Sequence, residues 1–237
     1  MRGLLFHGIS FGLMAVMGVL GLAGPIWRRD WCRAWLKLYA RAVIRLAGAV
    51  FGLRVEISGE VPRGDVLIAA KHQSLLDVYL LYATLPEPRF VMKRALLWMP
   101  VFGLYTWRAG MVPIDRRVRY GGAEGMVAAL AGARGQIVIY PQGTRVAPGE
   151  HVPYRRGIAR LAEATGWAVV PAATNAGLFW SRGGAVRGPG MVRLSFLEPL
   201  PGGLPRGELM AHLEERIEAA SAELATGALR AGDPPSR

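Results

Sequence analysis

The sequence predicts an α/β fold in which a largely parallel, mixed sheet with flanking helices follows an N-terminal membrane-associated helical segment. Two observations lead to this prediction. From Leu53 onward, short apolar runs alternate with longer helix-like segments, which is typical of a sheet covered by helices. Before that point, a long apolar run precedes a strongly basic stretch. We therefore expect a membrane-anchoring segment over 1–50, an α/β domain over 51–230 and a disordered tail over 231–237.

The first part of the anchoring segment is an apolar helix predicted over 3–27. Its only titratable side chain is His7, and its length suffices for a helix to cross a hydrocarbon layer of ~30 Å. A secretory signal peptide is the alternative, but its apolar region is only about 7–15 residues long and no small-residue cleavage site follows here. Basic residues follow the run whereas only Arg2 precedes it, so the positive-inside rule leaves the rest of the chain in the cytoplasm.

The second part, predicted over 28–50, is a basic-aromatic interfacial helix. Basic and aromatic side chains each recur at every fourth residue, on two different faces: Arg29, Arg33, Lys37, Arg41 and Arg45, and Trp31, Trp35 and Tyr39. Such a helix suits the headgroup boundary of a membrane. The alternative is an ordinary amphipathic helix packed on the domain. The apolar run is compatible both with a spanning helix and with a hairpin that dips, together with the basic helix, into one leaflet.

The remaining elements follow from hydrophobic periodicity in chain order. Strands are predicted over 53–58, 66–70, 90–92, 110–114, 136–140, 168–173 and 191–196. Helices are predicted over 75–85, 122–132, 156–165 and 207–226. Open sheets of this kind collect their functional groups at the carboxyl ends of the strands.

The most informative residues are His72 and Asp77, in the motif His-Gln-Ser-Leu-Leu-Asp directly after the strand at 66–70. An imidazole is well suited to take a proton near neutral pH, and a carboxylate can fix its tautomer and orientation. The spacing works if His72 precedes the helix and Asp77 lies in its first turn. The alternative is structural, because Ser74-Leu-Leu-Asp77 is also a capping box, in which Asp77 satisfies backbone donors.

Three further polar clusters stand at predicted strand ends. They are Asp115-Arg-Arg117, Gln142-Gly-Thr-Arg145 and Asn175-Ala-Gly177. Arginine supplies paired donors that match a phosphate, and a glycine lets backbone N–H groups approach the same anion. Taken singly, each cluster is equally compatible with a local ion pair or a solvated loop.

Taken together, the four blocks occur in the order and approximate spacing of the glycerolipid acyltransferase family, which the chain resembles from about 53 to 201. Within that family it is most similar to the bacterial lysophosphatidic acid acyltransferases. The resemblance implies the glycerolipid acyltransferase fold and transfer of a fatty acyl group from acyl carrier protein or coenzyme A to the sn-2 hydroxyl of lysophosphatidic acid, which gives phosphatidic acid in phospholipid biosynthesis. It also implies a bacterial inner membrane, with the domain on the cytoplasmic face.

By position in these blocks, His72 is the general base and Asp77 orients it, while Pro171 positions the fourth block. The resemblance assigns six residues to the substrate: Lys93, Arg116, Gln142, Gly143, Thr144 and Arg145. This chain departs from the family pattern at Gln142 and at Ala95, where glutamate is the commoner residue.

The chemistry fits these roles without a cofactor. Because a thioester is already activated, no covalent acyl-enzyme is needed, and an acyl-serine at Ser74 is the less favoured alternative. Cys32 is the only cysteine, no spacing resembles a zinc site and arginines alone can hold a phosphate, so we predict no metal and no cofactor.

A formal charge of +12 with 52% hydrophobic residues favours an anionic membrane over nucleic acid. The predicted partners are therefore membrane lipids, the lysophospholipid and the thioester carrier, with no nucleic acid. Two alternatives remain: acylation of another lyso-lipid, such as lyso-ornithine lipid, and a non-catalytic membrane-surface protein, which would leave the His72 and Asp77 pair unexplained. The apolar stretch 96–107 suits either a wall of an acyl tunnel or ordinary core.

Overall fold

A computed structural model of the chain describes residues 2–114, 127, 130 and 132–231. Within this part, seven strands form one sheet in the order β1-β7-β6-β2-β5-β3-β4. They are β1 (Leu53–Ser58), β2 (Val66–Ala70), β3 (Pro88–Lys93), β4 (Val112–Ile114), β5 (Gln136–Ile139), β6 (Val169–Thr174) and β7 (Gly190–Phe196). Neighbouring strands are parallel except β6 with β7. The predicted largely parallel, mixed sheet is therefore confirmed.

The described helices are α1 (Arg2–Leu20), α2 (Arg29–Phe51), α3 (Leu75–Thr84), α4 (Phe102–Ala109), α5 (Gly157–Thr165), α6 (Ala176–Phe179) and α7 (Arg206–Arg230). Three short 3-10 helices cover Gly21–Ala23, Pro25–Trp27 and Arg94–Trp98. The sequence did not predict α4 or α6. The helix predicted over 122–132 and the tail predicted over 231–237 lie outside the described residues, except for Val127, Leu130, Gly132 and Ala231.

The centre of the sheet is buried on both faces, which explains why β2 reads as an unbroken apolar run. Ile68 of β2 packs in one core cluster with side chains of α2 and α3. Leu67 and Ala69 point the other way and pack with side chains of α5 and α7. Because β2, β3, β4, β5 and β6 all run in one direction, their carboxyl ends form one edge of the sheet.

The predicted apolar helix over 3–27 is shorter in the structure. Helix α1 ends at Leu20, and Gly24 separates the two short 3-10 helices that follow. The second of them begins at Pro25, whose ring nitrogen cannot donate a backbone hydrogen bond to continue the preceding helix. The stretch Arg2–Ala23 is the one described helical segment that is long and apolar enough to cross a membrane, with a mean hydropathy of 1.9.

Helices α1 and α2 pack against each other as a hairpin. The Trp35 indole donates to the carbonyl of Met17 at 2.9 Å, and the Tyr39 hydroxyl donates to the carbonyl of Ser10 at 3.3 Å. The hairpin is also attached to the domain, because Phe6 is fully buried and its ring contacts the ring of Trp180 with centroids 5.1 Å apart.

Three basic side chains of α2 contact the domain, while the predicted interfacial role of this helix stays a prediction. Arg33 pairs with Glu87 at 3.1 Å. Lys37 and Arg41 donate to backbone carbonyls at and beyond the end of α3, of Pro86 at 2.6 Å and of Ala83 at 3.4 Å. The alternative of a helix packed on the domain therefore describes these three residues. The large exposed apolar side chains lie mainly on α1 and around α4 instead.

Candidate active site

His72 lies at the carboxyl end of β2, two residues after the strand ends and before the N-cap of α3. Its backbone is held from both sides. The preceding residue, Lys71, donates from its backbone N–H to the carbonyl of Ala172 at 2.9 Å, and the carbonyl of His72 accepts from the backbone N–H of Val146 at 2.8 Å. The His72 side chain is 17% exposed, so its ring is fixed in the protein while part of it meets solvent.

Asp77 is fully buried, and hydrogen bonds surround its carboxylate. Oδ2 accepts from the backbone N–H groups of Gln73 at 2.8 Å and Ser74 at 2.7 Å, while Oδ1 accepts from the Tyr140 hydroxyl at 3.0 Å. His72 Nδ1 lies 3.0 Å from Oδ1. A buried carboxylate is tolerated when it is satisfied in this way. The Ser74 hydroxyl accepts from a backbone N–H of α3, which completes the capping box. Asp77 therefore caps α3 and contacts His72 at the same time.

The contact with Asp77 determines which nitrogen of His72 carries the proton. An ionised carboxylate only accepts hydrogen bonds, so Nδ1 must be the protonated nitrogen in this pair. In the neutral ring the free lone pair is then on Nε2, which is the nitrogen that a general base requires. This arrangement has the chemical form of a base with its orienting carboxylate.

Tyr140 is a site residue that the sequence analysis missed. It follows β5, which pairs with β2, and its ring stacks on the His72 ring with centroids 3.9 Å apart and an interplanar angle of 18°. Burial and the negative charge of Asp77 raise the pKa of the Tyr140 hydroxyl well above its ordinary range, so it stays a donor to Asp77. The available signal was its position at a strand end directly before the Pro-Gln-Gly-Thr-Arg block.

The turn that follows Tyr140 also contacts His72. Gln142 is only 1% exposed, and its side-chain oxygen accepts from the backbone N–H of His72 at 3.4 Å. Gly143 adopts a φ of 70°, a conformation that favours glycine. A Cβ there would lie 2.9 Å from Nε of Arg155. Gln142 is thus buried next to the backbone of His72, and its predicted role in substrate binding stays a prediction.

The other predicted substrate residues differ in their surroundings. Thr144 is exposed, and Arg145 is partly exposed and donates to the carbonyl of Arg182 at 3.3 Å. Lys93 is exposed at the end of β3, hence at the same edge of the sheet as His72. Arg116 lies outside the described residues.

A hydrogen bond between a backbone N–H and a side chain connects the fourth block to the first. The backbone N–H of Gly177 donates to the side-chain oxygen of Gln73 at 3.0 Å, and a Cβ at Gly177 would lie only 2.8 Å from Cβ of Gln73. Asn175 accepts from the backbone N–H of Arg193 at 2.7 Å, and this bond joins the end of β6 to β7. Among the described residues, no three His, Cys, Asp or Glu side chains form a group that could hold a metal ion.

The chain is similar to known acyltransferases. A family model described as Acyltransferase matches residues 52–175. The chain is 29% identical over 198 residues to the 1-acyl-sn-glycerol-3-phosphate acyltransferase of Pseudomonas aeruginosa, a match that covers 81% of this chain and 73% of that protein. It is 32% identical over 130 residues to the human 1-acyl-sn-glycerol-3-phosphate acyltransferase alpha, which covers 52% of this chain and 46% of that protein.

The crystal structure of the 1-acyl-sn-glycerophosphate acyltransferase PlsC from Thermotoga maritima has the same fold. The two structures superpose with a TM-score of 0.74 at 22% identity, over 94% of this chain and 98% of that one. The likeness therefore extends to the N-terminal helices as well as the sheet.

Proposed function

Since the chain belongs to the acyltransferase family, we propose that it transfers a fatty acyl group from an acyl thioester to the free sn-2 hydroxyl of lysophosphatidic acid. The product is phosphatidic acid. One observation carries this proposal: the buried Asp77 holds Nδ1 of His72, which leaves Nε2 free to act as a base. The choice of lysophosphatidic acid as acceptor is supported by the names of the relatives.

The reaction needs one proton acceptor and no covalent intermediate on the protein. The substrate hydroxyl transfers its proton to Nε2 of His72 while its oxygen attacks the thioester carbonyl carbon. The carbon–sulfur bond then breaks, and the departing thiolate takes the proton back from the imidazolium. Asp77 stabilises the positive charge that His72 carries in between. A positioned base of this kind contributes roughly 10²–10⁴ in rate.

An acyl-serine pathway through Ser74 has little support. Ser74 is fully buried, and its hydroxyl oxygen accepts from the backbone N–H of Leu76 at 3.0 Å. A nucleophile needs an exposed oxygen and a neighbouring base. The helix cap accounts for the position and hydrogen bonding of this side chain.

We assign recognition of the lipid phosphate to cations at the carboxyl edge of the sheet. Arg145 follows the turn whose Gln142 contacts His72, and Lys93 stands at the end of β3, so both lie on the side of the sheet where the acceptor hydroxyl must enter. Arg116, which matches the second block, completes the proposed set. Arginine binds phosphate with paired donors, whereas lysine acts as a point charge.

We propose that the protein meets the membrane through an apolar surface formed by α1 and α4. Large apolar side chains are exposed on both helices, among them Leu4 at 82%, Phe11 at 61% and Trp107 at 63%, and Trp98, at the end of the 3-10 helix before α4, is 83% exposed. The two helices are joined, because the Tyr105 hydroxyl of α4 donates to the carbonyl of Gly18 at 2.8 Å. A surface of this kind, rich in tryptophan, suits the boundary of a lipid layer.

Attachment of α1 to the domain favours a hairpin in one leaflet over a spanning helix. His7 Nε2 lies 2.7 Å from the carbonyl oxygen of Gly184, and Phe6 is buried against the domain. A spanning α1 would have to break both contacts. We propose that this membrane is the inner membrane of a bacterium, which the bacterial relative supports, and that the domain and the basic residues after α1 lie on its anionic cytoplasmic face.

Product analysis tests the proposal directly. The purified full chain in mixed micelles is given lysophosphatidic acid or lyso-ornithine lipid, each with acyl-coenzyme A or acylated acyl carrier protein, and the lipids are identified by mass spectrometry. Phosphatidic acid is the expected product, with at least one of the two donors. Acylation of lyso-ornithine lipid alone, or of neither acceptor, would overturn the proposed substrate.

A further inference from the structure

A partly buried ion pair lies next to the candidate base. Lys71 is the residue before His72, its side chain is 2% exposed, and its ammonium lies 2.7 and 2.6 Å from the two carboxylate oxygens of Glu218 on α7. Neither residue has a part in the chemistry described above. Glu218 lies outside the segment 52–175 that matches the family model, so the pair joins the matched segment to a helix beyond it.

Glu218 also contacts Gln142, the side chain that hydrogen-bonds the backbone of His72. Its Oε1 accepts from the Tyr154 hydroxyl at 2.8 Å and lies 3.5 Å from the side-chain nitrogen of Gln142. Gln142 in turn accepts from the backbone N–H of His72 at 3.4 Å. One carboxylate on α7 therefore contacts the residue before the base and the side chain that holds the backbone of the base.

The energetics of buried ion pairs point to a role beyond stability. Such a pair stabilises a fold little more than well-packed apolar residues of similar volume would, because desolvation offsets the attraction. The hydrogen bonds of the pair are directional, however, and can hold neighbouring residues in one position. A general base must be held in this way to lie within hydrogen-bond distance of the substrate hydroxyl.

We propose that Lys71 and Glu218 are positioning residues for acyl transfer: their ion pair fixes the backbone of His72 and the Gln142 turn, so that Nε2 meets the acceptor hydroxyl. This inference rests on the proposed function, in which His72 is the base. It concerns the placement of the base and leaves the chemistry of the reaction unchanged.

The two single substitutions have unequal effects on folding. Glu218→Gln strands an ammonium that is 2% exposed, whereas Lys71→Met leaves a carboxylate that is 26% exposed and can be hydrated. We therefore expect the larger fall in melting temperature for Glu218→Gln. In the double variant no charge is stranded, and the glutamine can still accept from Tyr154, so most of the lost melting temperature should return.

Turnover of the double variant decides between positioning and plain stability. A positioning role predicts that Lys71→Met/Glu218→Gln folds well yet turns over about 10–100-fold more slowly than wild type with nearly unchanged KM, because a displacement of about 1 Å can lower a rate by this much. Glu214→Gln is the matched control. Glu214 lies one turn earlier on α7 and pairs with the exposed His151 at 2.6 Å, so this variant should keep wild-type kcat.

The experiment measures melting temperature, kcat and KM of these variants as full chains in mixed micelles. Wild-type kcat in the folded double variant would overturn the inference. Equal melting temperature and kcat in Glu218→Gln and Glu214→Gln would overturn it as well. Failure of the proposed function is a different result, because wild type itself would then form no phosphatidic acid. If the wild type and all variants are fully active, only the positioning role is wrong and the proposed function stands.

Discussion

The substitution Asp77→Asn separates the two roles of Asp77, which caps α3 and orients His72. In the wild type, one carboxylate oxygen accepts from the backbone N–H groups of Gln73 and Ser74, and the other faces Tyr140 and His72. An amide has only one oxygen, and the two backbone donors at the start of α3 require it. The amide nitrogen then faces His72, so Nδ1 becomes the acceptor, Nε2 carries the proton and the ring can no longer act as a base.

The structure predicts a large effect of Asp77→Asn on turnover and a small effect on stability. Loss of general-base catalysis lowers turnover by roughly 10²–10⁴, which corresponds to about 2.7–5.4 kcal/mol of transition-state stabilisation. The cap loses only its charge, and a negative charge near a helix N-terminus contributes about 0.3–1 kcal/mol. Together with a weakened Tyr140 contact, we expect a fall of about 1–2 kcal/mol in the free energy of unfolding.

Ser74→Ala is the matched control, because it removes the other half of the capping box and leaves the ring of His72 untouched. Loss of a serine cap lowers stability by about 0.5–2 kcal/mol, so the two variants should melt at similar temperatures. Steady-state kinetics at a temperature where both are folded should then show wild-type kcat for Ser74→Ala and a severe loss for Asp77→Asn. If Asp77→Asn melts like the control and also retains kcat within about threefold, Asp77 only caps the helix and the reasoning is refuted.

Three further outcomes are expected. Tyr140→Phe keeps the ring stack on His72 but removes a donor to Asp77. Its melting temperature should fall by a few degrees and its kcat should fall about 3–10-fold, as expected for one lost hydrogen bond to a charged group. Unchanged values in both assays would remove Tyr140 from the site. Gln142→Glu puts a second carboxylate beside Glu218, so its melting temperature should fall further than that of Gln142→Met, which adds no charge; equal falls in calorimetry would contradict the placement of Gln142. Phe11→Glu with Trp107→Glu should weaken flotation with anionic vesicles at an unchanged melting temperature. Leu229→Glu, at another exposed site near the end of α7, should bind like wild type; equal binding of both variants would place the membrane contact elsewhere.

The sequence was sufficient where structure depends on neighbours in the chain. The strand β2 and the start of α3 were predicted to the residue, because a short apolar run leads directly into a capping box. The end of α1 was not, since composition suggested one helix through Trp27 while Gly24 and Pro25 divide that stretch. The periodicity of α2 showed which basic residues share a face, but a carbonyl oxygen such as that of Pro86 satisfies a lysine as well as a lipid phosphate does.

The site divides in the same way. The pairing of His72 with Asp77 could be predicted, because His72 precedes α3 and Asp77 lies in its first turn. Tyr140 and Glu218 were missed because their contacts cross 63 and 147 residues of sequence and depend on which strand neighbours β2 and where α7 returns. Gln142 was assigned to the substrate by its block, and that role stays a prediction. The contacts of its buried side chain with His72 and Glu218 could not be predicted from the sequence, since they cross 70 and 76 residues.

The central claim is that Nε2 of His72 takes the proton of the acceptor hydroxyl, and the turnover of His72→Ala tests it most directly. The variant is assayed with lysophosphatidic acid and an acyl thioester in mixed micelles, beside wild type, after a melting curve and vesicle flotation have shown that it is folded and still binds membranes. We expect phosphatidic acid formation to fall by roughly 10²–10⁴. A folded His72→Ala protein that turns over within about threefold of wild type would contradict the account.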